Sequence, residues 1–304
     1  MNRHRFLILA ALFVCACGLA PCEEQTAASF VKLGVFAEDG SGQGLAGLKA
    51  ENFKVQQDKK DVTPGVFLGS ESPVLLVFVM DTTGDASNID ALRKELCNFV
   101  SALPPSIQVM VMSCNDGLRV LQNNTGDPAK LKEAIMNYNT KGKPGFLEAV
   151  VPVAENLNGL FIKHNNVRVA VIFFTDSEIY NYRKRYTTAD FTTEAEKTRE
   201  KLKEISVPMF VMRLPIGNND TFNRTYEGSV GEMARTTGGE AVYPTTANGI
   251  TKALITLLQR IHFTYVLGFP APEAKAGKEF RVSVSLAGVD GKVTHKKSYR
   301  LPSK

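Results

Sequence analysis

The 304-residue sequence lacks the short motifs that mark several common enzyme classes. It contains no GxSxG elbow for a nucleophilic serine, no GxxxxGK(S/T) phosphate loop and no GxGxxG that opens a helix. His164, His262 and His295 are scattered along the chain, and we expect each of them to pack or to lie on the surface. These absences argue against serine hydrolases, P-loop nucleotide enzymes and dinucleotide-dependent oxidoreductases.

Long stretches of positive charge are also absent, and the formal net charge is a mild +5. The basic residues come as short local sets, at Lys59 and Lys60, at residues 183–185, and at Lys296 and Lys297. No stripe joins these sets. A nucleic-acid partner is therefore disfavoured.

The first 22 residues have the order of a secretory signal peptide. Basic residues precede an apolar stretch over residues 6–19, and small residues then lead to Glu23. The apolar stretch is shorter than the roughly 20 residues that a membrane-spanning helix needs. We therefore predict export to the periplasm, the outer membrane or the cell exterior. Residues 14–17 also resemble a bacterial lipobox, which leaves open a lipid anchor through Cys17.

Cysteine is scarce once this leader is removed, because only Cys97 and Cys114 of the five cysteines then remain. Two cysteines do not make a disulfide framework, and no cluster of cysteine and histidine suggests a zinc site. Packing as two small buried hydrophobic side chains is one interpretation, and a single disulfide is the other.

Four continuous apolar runs indicate strands that are buried on both faces. The runs cover residues 74–80, 107–112, 167–174 and 207–212. Strands with one solvated face would alternate apolar and polar residues, whereas continuous runs are typical of a parallel sheet covered by helices. Asp116 and Gly117 separate the second run from another apolar stretch, which predicts a two-residue hairpin turn and one antiparallel edge strand.

Helical spacing of apolar residues predicts helices in most of the intervals between these runs. We expect Ser87 to cap the first of them. Later helices are predicted over residues 127–138, 146–162, 192–205, 230–236 and 248–261. The predicted fold class is a doubly wound, mostly parallel α/β sheet of Rossmann-like type with one antiparallel edge strand.

The two ends of the chain have a different pattern. Residues 28–72 and 263–304 show short alternating runs and glycine-rich turns, which are typical of β structure. Neither piece holds enough strands to be stable alone. We therefore predict that the two pieces pair into one small β domain beside an α/β domain over residues 73–262, after a signal peptide over residues 1–22.

Two of the apolar runs end at an aspartate, the first at Asp81 and the third at Asp176. In an open α/β sheet, ligands bind at the carboxyl ends of the strands, where the strand order reverses. We therefore expect the two carboxylates to face one crevice. Together with Thr83 and Asp85, they form an oxygen-only set suited to a hard divalent cation such as Mg²⁺ or Mn²⁺.

The residues around these aspartates resemble the von Willebrand factor A (VWA) domain. "DTTGD", beginning at Asp81, resembles the first motif of that family, DxSxS, and "FFTDSE" resembles its later strand ending in TDG. The resemblance covers roughly residues 72–262, and the β flanks look like an exported bacterial group related to this family. It implies a Rossmann-like fold whose rim carries a metal-ion-dependent adhesion site that binds other proteins and does not catalyse.

The match to the family's metal site is incomplete. Asp85 stands where a second serine is expected, and Pro144 or Gly145 stands where the family has a threonine. A third carboxylate would hold a cation firmly but reduce its attraction for a partner's acid, and without metal the acids would repel one another. Two interpretations stay open: a degenerate metal site, or aspartates that cap loops and helix N-termini.

The same "DTTGD" stretch also resembles the phosphorylated aspartate loop of haloacid-dehalogenase-like phosphatases. In a metal-dependent phosphohydrolase of that kind, Asp81 would be the nucleophile toward phosphate. Lys141 or Lys143 and Asp220 are the only candidates for the other groups that this chemistry requires. We keep this enzyme, and a purely structural role in the cell envelope, as alternatives to a non-enzymatic protein-binding module.

The segment after Asp176 is the predicted contact with a protein partner. Tyrosine and arginine are common interface anchors, because they combine a large contact area with directed hydrogen bonds. The residues of this predicted contact are Tyr180, Tyr182, Arg183, Arg185 and Tyr186. The alternative is a solvated loop whose aromatic side chains pack on the adjacent helix.

Overall fold

The structure is a computed structural model that describes residues 30–143, 145–176, 186–215, 221–271 and 277–301. Within these residues, the chain forms a six-stranded sheet flanked by helices and two four-stranded antiparallel sheets. The predicted signal peptide, over residues 1–22, and Cys17 within it lie outside the described residues.

The six-stranded sheet is built by the middle of the chain. Its strands are β5 (Val74–Asp81), β6 (Ile107–Ser113), β7 (Arg119–Thr125), β8 (Arg168–Thr175), β9 (Met209–Arg213) and β10 (Ala241–Val242). Their order in space is β10-β9-β8-β5-β6-β7, and β7 alone among them is antiparallel to its neighbour. If β5 is numbered 1 and the sheet is read from the β7 edge, the strand order is 3-2-1-4-5-6, which is the order of doubly wound sheets. The order reverses between β5 and β8.

Six described helices cover the two faces of this sheet. They are α1 (Ala86–Ser101), α2 (Pro128–Asn137), α3 (Phe146–Lys163), α4 (Thr188–Leu202), α5 (Thr221–Thr237) and α6 (Gly249–His262). Residues of β5 alternate between two cores, because successive side chains of a strand point to opposite faces. Phe78 packs with α1, α2 and α6, whereas Val77 and Val79 pack with α3, α4 and α5. None of these helices is long and apolar enough to cross a membrane.

The predicted fold class is confirmed, with differences in the local boundaries. Helix α1 begins at Ala86 with Asp85 as its N-cap, so the prediction that Ser87 caps it is wrong. An aspartate before the first turn accepts backbone hydrogen bonds as well as a serine does, and here it precedes the serine. The turn between β6 and β7 also differs from the prediction, because Ser113 pairs with Arg119 and five residues connect the two strands.

The two cysteines do not form a disulfide with each other. Cys97 lies half-buried on α1, and Cys114 is buried after β6, where burial raises the pKa of its thiol. Both side chains therefore pack as small hydrophobic groups in this structure.

The chain ends form a β sandwich of two antiparallel sheets. The strands that complete the fold are β1 (Phe30–Glu38), β2 (Phe53–Gln57), β3 (Lys60–Val62), β4 (Val66–Leu68), β11 (Thr264–Pro270), β12 (Glu279–Leu286), β13 (Lys292–His295) and β14 (Ser298–Arg300). They form sheets of order β13-β1-β11-β4 and β14-β12-β2-β3. Alternate residues of β12, such as Phe280 and Val282, point into a core shared with Leu33 and Leu267 of the other sheet.

Two buried lysines of the sandwich attach it to helices of the α/β domain. Lys32 of β1 is fully buried, and its Nζ donates to the carbonyl oxygens of Phe161 and His164 at the end of α3, at 2.8 and 2.7 Å. Lys296, after β13, donates to the carbonyls of Leu202, Lys203 and Ile205 at the end of α4. Such C-terminal carbonyls have no partner inside the helix and carry partial negative charge, so an ammonium group satisfies them.

A buried arginine makes the same kind of contact at α6. The guanidinium of Arg168, at the start of β8, donates to the carbonyls of Ile261, His262 and Thr264, and also to that of Ser72. Ile261 and His262 end α6, Thr264 begins β11, and Ser72 lies between β4 and β5. The guanidinium therefore lies at both junctions between the α/β domain and the sandwich. The sandwich therefore docks at the end of the sheet where β8 begins, opposite the end that carries Asp81.

Replacing Lys296 with methionine tests how much this attachment contributes to stability. The variant keeps the side-chain length but leaves three carbonyl oxygens without their donor. We expect the free energy of unfolding, measured by urea denaturation, to fall by about 1 to 3 kcal/mol. Lys297→Met is the matched control, because Lys297 is exposed, and it should change stability by less than about 0.5 kcal/mol. Equal losses in both variants would contradict the assigned role of Lys296.

Candidate functional site

Asp81 and Asp176 lie side by side at the point where the strand order reverses. Strands β5 and β8 are parallel neighbours, and Asp81 is paired with Thr175 across them. The backbone amide of Asp176 donates to the carbonyl oxygen of Asp81 at 3.3 Å. The two side chains are 0% and 5% exposed. The sheet therefore brings together the two carboxylates at the position expected for a ligand crevice.

Both carboxylate oxygens of Asp81 accept hydrogen bonds from the protein. Oδ1 accepts from the backbone amide of Gly145 at 2.7 Å, and Oδ2 accepts from the hydroxyl of Thr175 at 3.0 Å. Burial raises the pKa of Asp81 to about 7, and the neighbouring charge of Asp176 acts in the same direction. Asp81 thereby fixes the start of α3 against the end of β5.

Asp176 holds the loop that follows β5. Its Oδ2 accepts from the backbone amides of Thr83 and Gly84, each at 2.6 Å. A Cβ atom at position 84 would lie 3.2 Å from this oxygen, so glycine permits the close approach. A carboxylate that accepts two amide hydrogen bonds has the form of an anchor for a turn.

Asp85 is turned toward the helix that it precedes. Its Oδ1 accepts from the backbone amides of Ser87 at 2.8 Å and Asn88 at 3.3 Å. The hydrogen bond from the Ser87 side chain is the main cause of a lowered pKa of Asp85. The N-terminus of a helix attracts negative charge, so this exposed carboxylate acts as a cap of α1.

Gly145 cannot be replaced by a residue that carries a hydroxyl without a change in the backbone. A Cβ atom at this position would lie 2.2 Å from the carbonyl oxygen of Cys114. The loop before α3 therefore offers Asp81 a backbone amide at Gly145. Pro144 lies outside the described residues.

A cation held in the manner of the resembled family would compete with hydrogen bonds that these side chains already make. The oxygens of Asp81 already accept from protein donors, and Asp85 caps α1. Within the described ranges, no group of three or more histidine, cysteine or acidic side chains is arranged to hold a metal ion. The metal-ligand assignment of Asp81, Thr83, Asp85 and Asp176 stays a prediction, and the geometry favours the alternative in which the aspartates cap backbone amides.

One wall of the site consists of residues that the sequence analysis did not single out. The buried hydroxyl of Thr82 is hydrogen-bonded to the hydroxyl of Tyr138, whose pKa burial raises to about 12. Asn115 donates from Nδ2 to the carbonyls of Thr82 at 3.2 Å and Asn139 at 3.0 Å. Asn115 follows the second apolar run just as Asp81 ends the first, so the same strand-end criterion would have found it.

Tyr186 is the one member of the predicted partner contact that lies within the described residues. It is partly buried, and its ring packs edge-on against Phe191 of α4 at a centroid distance of 6.4 Å. This contact matches the alternative in which the aromatic side chains pack on the adjacent helix. Tyr180, Tyr182, Arg183 and Arg185 lie outside the described residues, and their role stays a prediction.

The strand order, the single antiparallel edge strand β7 and the paired aspartates at the switch point together match the expected architecture. The central domain has a von Willebrand factor A-type fold. Its DxSxS-like and TDG-like motifs, at Asp81 and Asp176, are adjacent in space although 95 positions separate them in the chain (176 minus 81).

The similarity of this chain to known proteins is low. No family model and no curated protein sequence matches the chain. Among solved structures, BatB from Bacteroides thetaiotaomicron is 16% identical, with a TM-score of 0.43 over 62% of this chain and 98% of that one. The von Willebrand factor type A protein from Catenulispora acidiphila is 10% identical, with a TM-score of 0.44 over 91% of this chain and 74% of that one.

A third similar structure is the vWF domain of the type V pili tip protein Mfa5 from Porphyromonas gingivalis. It is 10% identical, with a TM-score of 0.44 over 62% of this chain and 96% of that one. At such low identities the likeness concerns the fold alone, and we base the site of this VWA-type domain on its own geometry.

The raised pKa of Asp81 predicts a pH dependence of stability. An acid whose pKa is higher in the folded state stabilises the fold below its unfolded pKa of about 3.9, and this contribution is lost as the pH rises through about 7. In chelator, the free energy of unfolding of the wild type should therefore fall between pH 4 and pH 8. Asp81→Asn removes the titrating group and should flatten this decline.

Urea denaturation of both proteins across this pH range measures the difference between the two slopes. Asp85→Asn serves as control, because Asp85 is exposed and has a lowered pKa. Parallel curves for the wild type and Asp81→Asn would show that Asp81 is ionised in the folded state throughout this range.

Proposed function

We propose that the chain is an exported, non-enzymatic protein-binding module of the VWA type with a degenerate metal-ion-dependent adhesion site. One observation carries the proposal: three segments of the rim are tied together by Asp81 and Asp176. They are the loop after β5, the start of α3 and the end of β8. A rim assembled in advance binds a partner with less loss of conformational entropy, because its loops are already ordered.

The proposed partner is another protein, docked on this rim. Contact through residues 177–188 remains part of the proposal, as do export by a signal over residues 1–22 and a lipid anchor at Cys17. The docking of the β sandwich at the opposite end of the sheet supports the choice of rim, because that end is covered by the chain's own residues. The described residues of the sandwich do not cover the Asp81 end.

We propose further that partner binding does not require a divalent cation. The support is that protein donors already occupy the oxygens of Asp81 and one oxygen of Asp176. A Mg²⁺ or Mn²⁺ ion bound by Asp81, Thr83, Asp85 and Asp176 would have to share these oxygens with the protein donors or displace them. The alternative, in which partner binding requires a divalent cation, is tested by the chelator experiment below.

A phosphohydrolase is disfavoured by the burial of Asp81, which is 0% exposed. A nucleophile must meet its substrate, and both oxygens of this carboxylate are engaged inside the protein. Turnover of a generic phosphate ester that is abolished by Asp81→Asn would contradict the proposed non-enzymatic role.

Site-specific photo-crosslinking in the producing cells tests the docking surface. A photo-reactive residue replaces Lys141, which is exposed in the loop before α3 at the rim. The matched position is Ser101, which is exposed at the last turn of α1, at the other end of the sheet. We expect a defined protein adduct from position 141 and none from position 101, because only the first lies on the proposed docking surface.

Two further experiments test whether docking on the rim depends on a metal ion. The adduct should persist in chelator, and it should be lost in Asp176→Ala, which removes the acceptor of the Thr83 and Gly84 amides. Loss of the adduct in chelator, with recovery in Mg²⁺ or Mn²⁺, would establish the metal-dependent form instead. Identical adducts from both positions would contradict docking on the rim.

A further inference from the structure

Basic residues from distant parts of the chain meet on the outer face of the β sandwich. Lys59 lies in the turn between β2 and β3, Arg281 lies in β12, and Lys297 follows β13. Together with Gln56, Asp58, Val282 and Ser283, they line an open cavity of about 480 Å³. Lys59 and Lys297 belong to two of the short basic sets that are separate in the sequence.

Hydrogen bonds hold two of these cationic residues in adjacent positions. Asp58 and Lys59 have positive φ angles of 46° and 70°, as a two-residue hairpin turn requires. The amide of Asp58 donates to the carbonyl of Arg281 at 3.0 Å, and the amide of Arg281 donates to Oδ1 of Asp58 at 2.9 Å. The turn is thus fastened to β12, and the Asp58 carboxylate already has a partner.

A neutral histidine positions the third cation. The ammonium of Lys297 lies 3.2 Å from Nε2 of His295, which also accepts from the amide of Val284 at 3.1 Å. The other ring nitrogen, Nδ1, lies 2.6 Å from the carbonyl oxygen of Lys296 and donates to it. Burial, together with the charge of Lys297, lowers the pKa of His295 to about 4. The ring therefore orients the ammonium without neutralising it.

No ion pair joins Lys59, Arg281 or Lys297 to an acidic side chain in the part of the chain that the structure describes. Three basic side chains and one carboxylate, that of Asp58, line the cavity, so basic groups are in excess by two. Like charges gathered around one cavity repel one another, and an anion placed among the basic groups is attracted by this excess.

We propose that this cavity binds a phosphate group. A phosphate carries up to two negative charges and several acceptor oxygens, which suit one guanidinium fork and two ammonium groups better than a single carboxylate does. The group belongs either to a free phosphate-bearing molecule or to a phospholipid headgroup. The site lies in the sandwich, so it is independent of the rim and of the proposed protein partner.

Calorimetric titration of the full chain with inorganic phosphate tests the site, at constant ionic strength maintained with sodium chloride. Arg281→Met and Lys297→Met each remove one cation that lines the cavity. Lys252→Met removes the same charge from an exposed position on α6 and serves as control. We expect saturable binding that each cavity variant weakens by about tenfold, equivalent to about 1.4 kcal/mol, and that the control leaves unchanged.

A vesicle arm distinguishes the two sources of phosphate. Sedimentation with phosphatidylcholine vesicles, with and without phosphatidylglycerol, measures binding to a phospholipid headgroup. Binding to phosphatidylglycerol that both cavity variants weaken assigns a headgroup, whereas binding to inorganic phosphate alone assigns a free molecule. The proposal is overturned if neither probe binds, or if Lys252→Met weakens binding as much as the cavity variants do. Circular dichroism of the variants confirms that they are folded.

Discussion

Parallel pairing of β5 with β8 is the constraint on which the site depends. The strand order of the sheet reverses between these two strands, so helices leave them toward opposite faces and a crevice remains at their carboxyl ends. Asp81 and Asp176 meet there because the segments that carry them run side by side in the same direction. The two carboxylates are buried, and burial of an ionisable group requires compensation by hydrogen bonds.

Compensation comes mainly from backbone amides and hydroxyl groups. Asp81 accepts a hydrogen bond from the amide of Gly145, and Asp176 accepts hydrogen bonds from those of Thr83 and Gly84. Each acid thereby attaches a loop to the end of a strand. The same principle operates at the opposite end of the sheet with reversed charge. There, buried cations from Lys32, Arg168 and Lys296 satisfy the carbonyls of helix C-termini and attach the β sandwich. Backbone dipoles thus compensate buried charges at both ends of the α/β domain.

Sequence patterns predicted the sheet well, because continuous apolar runs report burial on both faces and need no knowledge of long-range partners. The position of Asp81 and Asp176 followed from the same runs. The orientation of the side chains did not follow from the sequence. Asp85 was expected beside the other two acids, but it caps α1, because the amides of Ser87 and Asn88 are its near neighbours along the chain. The length of helix α5 was underestimated, because polar residues and glycines interrupt its apolar spacing. The roles of Lys32 and Lys296 were not predicted, because they depend on packing between segments that are distant in the chain.

We propose, as the central claim, that carboxylates of the protein hold the rim of the VWA-type domain together without a cation. Amide hydrogen exchange at Thr83, Gly84 and Gly145 measures it directly, because these three amides donate to Asp176 and Asp81. We predict slow exchange in chelator that added Mg²⁺ leaves unchanged. Exchange at the rate of exposed loop amides in chelator, slowed only when Mg²⁺ is added, would contradict the account.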